Sequence, residues 1–293
     1  MMTFEVSIPD LGRAGLLRVP DGPVLAGMVA LHPANDPGRD QPTFEHLAAT
    51  VVPLGYAVLS YDRRADPDGG DVPFALQAAD ALAALRWLSD HQGVPVGLWA
   101  FSQGTWVAGL VAAESDLVSF LALLGCPGVS PATQMRFHTD ELLRRAGHDA
   151  TARAEALALR AALEDLIRGD LDRERAAALL DAHRDRPWFP LTYLPDDVPV
   201  GLPAWTDMDH DPAPVYARVT CPVLLVYGAE ENCVPVAASV GVWRRAAEAA
   251  GNADLTIVEV PGMGHWPAEG NRRDVAGISP DYTRALADWF ART

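Results

Sequence analysis

The stretch Val96-Gly97-Leu98-Trp99-Ala100-Phe101-Ser102-Gln103-Gly104 decides how this chain is read. Up to Phe101 it is apolar on both faces, as a strand buried inside a sheet is. An apolar helical segment, residues 103–113, follows with no loop between. A serine at such a junction sits on a sharp, strained turn that pushes its hydroxyl clear of the backbone. The chain folds back that tightly only if the residues two before and two after the serine are small. Ala100 and Gly104 meet that demand, although glycine is the commoner first residue. Alone the motif is weak; its place between a buried strand and a helix gives it weight.

Outward from this point, short β-rich runs alternate with amphipathic segments. The runs are residues 4–8, 15–19, 24–31, 56–61, 94–101, 118–124, 223–227 and 255–260, several of them apolar on both faces. Between two of them, Ala78, Ala81, Leu82, Leu85 and Leu88 recur at helical spacing over residues 74–90. Ser279-Pro280 reads as an N-cap with proline in the first turn of a last helix, residues 281–292. This alternation predicts an α/β fold, a mainly parallel sheet of about eight strands covered by helices on both faces. The first two strands, joined by a short turn, are expected to form an antiparallel edge.

One region breaks the rhythm. From residue 131 to 215 no strand signal occurs, while Leu159, Ala162, Leu163, Leu166 and Ile167 mark one helical face and residues 172–183 repeat the pattern weakly. A proline-rich stretch, 187–214, then carries Trp188, Phe189, Tyr193 and Trp205. Long irregular stretches of this kind are commonly functional. Residues 131–215 are therefore expected to be a helical lid inserted into a core domain made of residues 1–130 and 216–293.

Chemistry beyond the serine stands at the ends of two later strands. After residues 223–227 comes Gly228-Ala229-Glu230-Glu231-Asn232-Cys233-Val234-Pro235, and after 255–260 comes Pro261-Gly262-Met263-Gly264-His265-Trp266. Serine, an acid and a histidine thus follow in order at the carboxyl ends of strands, the edge at which open parallel sheets bind ligands. Three weak signals in the right order on the right elements reinforce one another.

With these segments in view, the chain resembles the α/β-hydrolase superfamily along nearly its whole length. The matching segments are Leu31-His32-Pro33-Ala34 with Gly38-Arg39-Asp40, Gly55 to Arg64, Phe101-Ser102-Gln103-Gly104, and Pro222 to Gly228. It is most similar to bacterial serine esterases and to dienelactone-hydrolase-like or peptidase-like hydrolases with a helical insertion. The resemblance implies Ser102 as nucleophile, His265 as base, and Glu231 rather than Glu230 as the acid. It also implies an oxyanion hole formed by the N–H of Gln103, at the start of a helix, and the N–H of Ala34. No cofactor and no metal are implied.

Those roles suit the chemistry. A serine hydroxyl is a poor nucleophile until a neutral imidazole takes its proton. A carboxylate fixes the tautomer of that imidazole and stabilises the imidazolium, and each oxyanion donor contributes about 10²–10³ in rate. The sequence departs from the family at three places: His32-Pro33 for the usual His-Gly, Arg64-Ala65-Asp66-Pro67-Asp68 for Arg-Gly-x-Gly, and Thr105 for a second glycine. All three are expected to line the pocket. Trp188, Phe189, Trp205 and Met263 are the candidate substrate-binding residues, an aromatic roof over an apolar acyl or aromatic group.

Other residues read more plainly. His32 is expected to be buried and to fix the oxyanion loop, whereas His46, His91, His148 and His183 fit solvated helix faces. His138 and His210 lie in the insertion, where they could face substrate. Cys233 has no evident cationic neighbour and is expected to be inert. The run Asp207-Met208-Asp209-His210-Asp211 fails as a calcium loop, because Pro212 and Arg218 stand where glycine and glutamate are required.

Composition sets the outer limits. The chain has 293 residues, 49% hydrophobic and 21% charged, enough for one large α/β domain and too apolar for a disordered chain. Its 23 basic residues are all arginine. Without lysine there is no P-loop lysine, no Schiff base and no Ser-Lys dyad, and arginine is left to hold any anionic substrate, with Arg39, Arg63 and Arg64 nearest. A net charge of −16 disfavours nucleic acid as a partner. No run of 18 apolar residues predicts a membrane span. With no secretory signal over residues 1–10, three scattered cysteines (Cys126, Cys221, Cys233) and no CxxC, the expected location is cytoplasmic.

The expected function is cleavage of a small-molecule carboxylic ester or thioester with an apolar part, through an acyl-enzyme. The same triad could instead serve a biosynthetic acyltransferase, cyclase or eliminating enzyme, or the fold could bind a ligand without turnover. The oligomeric state is left open, a homodimer included.

Overall fold

A computed structural model describes residues 1–34, 36–65, 72–198, 205–268 and 273–292. Chain order among them runs β1 (Met2–Ile8), β2 (Arg13–Val19), β3 (Ala26–Leu31), α1 (Pro42–Val51), β4 (Tyr56–Tyr61), α2 (Phe74–Gln92), β5 (Val96–Phe101), α3 (Gln103–Glu114) and β6 (Val118–Leu124). Then come α4 (Pro131–Arg145), α5 (Ala150–Arg168), α6 (Arg173–His183), α7 (Ala213–Tyr216), β7 (Val223–Gly228), α8 (Val236–Ala250), β8 (Leu255–Val260) and α9 (Pro280–Phe290).

The eight strands form one sheet in the order β1-β2-β4-β3-β5-β6-β7-β8. Pairings from β4 through β8 are parallel, while β1–β2 and β2–β4 are antiparallel. Every residue of β4, β5 and β7 is buried, so these strands show no alternation of polar and apolar side chains. On one face, Leu85 and Leu88 of α2, Trp106 and Val107 of α3 and Trp243 of α8 close a first core. On the other, Phe44 and Leu47 of α1 meet Tyr282, Leu286 and Trp289 of α9 over Trp99 and Phe120. The cap expected at Ser279 forms: its hydroxyl accepts the Tyr282 N–H, and Pro280 opens α9.

Between β6 and β7 the chain builds helices instead of strands. Helices α4, α5 and α6 each start on a side-chain cap, from Ser130, Asp149 and Asp172 respectively. Leu143, Leu159, Leu163, Leu166 and Leu180 close a third apolar cluster of their own. At about 1.5–3 kcal/mol per buried large apolar side chain, that cluster gives the segment a local core.

The parallel strands matter for one reason: their carboxyl ends share an edge. Ser102 follows β5, Gly125 follows β6, Glu231 lies beyond β7, His265 beyond β8, and the 32–34 and 62–64 segments follow β3 and β4. Strand order reverses direction around β3, where such sheets open a crevice.

Candidate active site

Ser102 links β5 to α3 with φ 52° and ψ −119°, a left-handed φ that side-chain-bearing residues rarely adopt. The surroundings over-determine it. Its N–H donates to the Leu124 carbonyl at 2.9 Å, and its own carbonyl accepts both the N–H and the hydroxyl of Thr105, at 2.9 and 2.6 Å. Thr105 is fully buried; it braces the turn and does not line a pocket, contrary to expectation. Gly104 is required sterically, since a methyl there would meet the His32 carbonyl oxygen at 2.7 Å. The start of α3 therefore packs directly on the end of β3.

His265 stands between serine and acid. Its Nε2 lies 2.9 Å from Ser102 Oγ and its Nδ1 3.0 Å from Glu231 Oε2. With Nδ1–H donating to the carboxylate, Nε2 can accept the serine proton. The Phe101 ring packs on the imidazole with centroids 5.2 Å apart. Gly125 closes the other side, where an added methyl would come within 2.9 Å of Cε1. That glycine escaped the sequence reading; its only signal was its place at the end of a buried strand, in Leu124-Gly125-Cys126.

Of the two adjacent acids, the structure brings Glu231 to the histidine. Its second oxygen accepts the N–H groups of Asn232, Cys233 and Val234, at 3.0, 2.7 and 3.2 Å. Burial favours its neutral form, yet His265 and those amides outweigh burial and hold the carboxyl below its usual range. Glu230 is exposed, and its N–H is spent on the Met263 carbonyl. In His265, burial opposes the charge, but the carboxylate of Glu231 and then the Cys233 side chain prevail, leaving the imidazole well above its ordinary basicity.

The acid loop is also held from outside the sheet. Along one face of α4, Gln134 donates to the Cys233 carbonyl and sulfur, at 2.7 and 2.8 Å. Four residues on, His138 Nδ1 bonds the Asn232 carbonyl at 2.8 Å, and Arg145 reaches the Glu230 carbonyl at 3.1 Å. His138, which could have faced substrate, thus binds backbone and stacks on Tyr193. Cys233, expected to be inert for want of a cationic neighbour, instead lies beside His265.

The two expected oxyanion residues follow β5 and β3, which are neighbours in the sheet. Gln103 is the first residue of α3 and is buried. Ala34 is exposed beyond β3, and Pro33 before it has no N–H to give. His32 is 2% exposed, as expected; burial first, and then the charge of Arg63, push its pKa down to about 3. Part of the 64–68 departure, residues 66–68, lies outside the described residues.

The aromatic roof is not built from the residues expected. Trp188 and Phe189 are 2% and 4% exposed inside the apolar cluster of the inserted helices, so their surface is spent on that segment's own core. Met263 is fully buried in the core between the sheet and helices α1 and α9, because its loop folds back onto β7. Trp205 is half-buried in the turn before α7, where its carbonyl accepts the Met208 N–H. His46, expected in solvent, is buried against Thr283 and Tyr282. His210 packs on Phe74. The arginines differ too: Arg39 pairs with Asp62 and Arg64 with Asp80, so both charges are already matched. Asp207, Asp209 and Asp211 bind the Phe74 N–H, Arg168 and the Ala213 N–H. Among the described residues no group of three or more His, Cys, Asp or Glu could hold a metal ion, and no helix is long and apolar enough to cross a membrane.

Comparison with known proteins agrees with this fold. Residues 28–278 match the Alpha/beta hydrolase family. A search of curated proteins returns no match. Among solved structures, a proline iminopeptidase from Mycobacterium smegmatis is 18% identical with a TM-score of 0.59, covering 99% of this chain and 98% of that one. Est1E from Butyrivibrio proteoclasticus is 16% identical with a TM-score of 0.58, over 100% and 98% of the two chains. A putative dienelactone hydrolase from Klebsiella pneumoniae is 17% identical with a TM-score of 0.57, over 100% and 99%. At such identities the likeness is one of fold.

Proposed function

The chain belongs to the alpha/beta hydrolase family, and from that premise we propose that it is a serine hydrolase cleaving a carboxylic ester or thioester through an acyl-enzyme. One observation carries the reading: the unbroken hydrogen-bonded line from Glu231 through His265 to Ser102, at 3.0 and 2.9 Å. In the first half-reaction Ser102 Oγ attacks the carbonyl carbon while its proton passes to His265 Nε2. The oxyanion collects the N–H groups of Gln103 and Ala34. His265 then gives the proton to the leaving alcohol or thiol, and the acyl group stays on Ser102. In the second, water loses a proton to His265 and attacks the acyl carbon, which releases the acid and restores serine.

Glu231 serves as orienter because its charge is shared with three backbone amides and one imidazole, and it keeps that charge throughout. The substrate on this reading is a small molecule, and residues 131–215 act as a lid. The apolar part expected of that substrate loses the support of Trp188, Phe189 and Met263, so acyl length is the variable to scan. A series of p-nitrophenyl esters of rising chain length tests the proposal. Release of p-nitrophenol by the wild type but not by Ser102→Ala supports it, and equal release by both contradicts it. Trapping the acyl-enzyme with and without added alcohol or amine separates hydrolysis from acyl transfer.

A further inference from the structure

Arg63, just beyond β4, holds three acceptors at once. Its Nη1 donates to the Pro33 carbonyl at 2.8 Å and to Gln103 Oε1 at 2.9 Å, and its Nη2 donates to the Ala34 carbonyl. These are the two sides of the expected oxyanion hole, one after β3 and one at the start of α3. We propose that Arg63 is the positioning residue of that hole, aiming the Ala34 N–H at the developing oxyanion and tying it to the Gln103 N–H. This rests on the serine hydrolase reading above.

The described residues contain no cis peptide, so the Pro33–Ala34 peptide is planar and trans, with its C=O and N–H pointing in opposite directions. A guanidinium on the Pro33 oxygen therefore turns the Ala34 N–H away from itself. Pro33 has no N–H, so the Ala34 amide is the donor that this stretch can offer there. Flipping that peptide would break one charge-assisted hydrogen bond and strain a second, to the next carbonyl. A cation on the carbonyl oxygen also polarises the same amide, which makes its N–H a better donor to negative charge.

The loop does not depend on this side chain alone. The backbone N–H of Arg63 donates to the Pro37 carbonyl at 2.9 Å, and Asp62 pairs with the side chain and N–H of Arg39. Replacing the guanidinium leaves both of these links in place, so the loop keeps its anchor while its aim is lost.

The test compares wild type, Arg63→Met and Arg63→Lys for their rate of labelling by a fluorophosphonate probe. It adds kcat and KM on a p-nitrophenyl ester, the pH profile and thermal unfolding. One missing oxyanion donor costs about 10²–10³, and a misdirected one less. Arg63→Met is expected to label about 10–100-fold more slowly, with kcat reduced alike, KM within about twofold and the pH limb unmoved. Arg63→Lys should recover part of the loss, since one ammonium cannot span three acceptors. Labelling of Arg63→Met at the wild-type rate overturns the inference while leaving the hydrolase reading intact. So does a loss that moves the pH limb, which would place the effect on His265. A wild type that does not label sinks both. If Arg63→Met fails to fold, Arg63→Lys decides: labelling at the wild-type rate overturns the inference, and slower labelling with an unmoved pH limb upholds it.

Discussion

The α-carbon of Gly125 sits against His265 so closely that a methyl group there would lie 2.9 Å from Cε1 and 3.1 Å from Nδ1. Its φ of 57° adds a conformational demand that alanine meets poorly. Gly125→Ala must displace either the β6 end or the imidazole. Because about 1 Å of misplacement costs about 10²-fold, ester hydrolysis should fall by that order. Stability, read from thermal unfolding, should fall by about 1 kcal/mol.

Glu231 and Glu230 are neighbours with unequal surroundings. Glu231→Gln keeps the shape but removes the charge that sets the tautomer of His265, so kcat should fall by about 10²–10⁴-fold. Glu230→Gln alters an exposed side chain and should change kcat by less than about threefold. Steady-state kinetics of the two variants decide whether the acid is assigned correctly.

The base must be neutral to accept the serine proton, and the structure makes His265 more basic than a free imidazole. Activity should therefore rise with pH along a limb whose midpoint in kcat/KM lies above about 6.5, the ordinary histidine value. In Glu231→Gln the lost carboxylate charge should move that limb to lower pH. A limb that stays in place would separate Glu231 from the titration.

Acid should destabilise the fold through two buried histidines outside the Ser102–His265–Glu231 line. Burial drives His46 down to about 4, and burial and then Arg63 drive His32 down to about 3. Below about 6.5 the unfolded chain binds protons that the folded chain refuses. Their contribution is thus complete above that pH and declines as pH falls toward 4 and 3. His46→Gln should flatten the decline by about 1.4 kcal/mol per pH unit within that window, measured by urea unfolding at several pH values.

Much of this was legible because parallel strands announce themselves. Residues 223–227 are apolar at every position and residues 56–61 at all but Ser60, as strands of a sheet covered on both faces are, and the serine turn, acid and histidine then fall at its edge by chain order. What stayed hidden depends on contacts between distant residues. His46 is buried by Thr283, 237 positions away, and α4 grips the acid loop through Gln134 and Cys233, 99 apart. Trp188, Phe189 and Met263 carry no periodicity that tells a cavity wall from a core, and their own neighbours claim them. Gly125 is invisible until the imidazole beside it has a position.

On the proposed reading, Ser102 is a nucleophile activated by His265. Incubation with a fluorophosphonate probe followed by peptide mass spectrometry tests it most directly. The expected result is a single adduct on Ser102, absent in Ser102→Ala and formed far more slowly in His265→Ala. An unlabelled wild type, or an adduct that persists in Ser102→Ala, would contradict it.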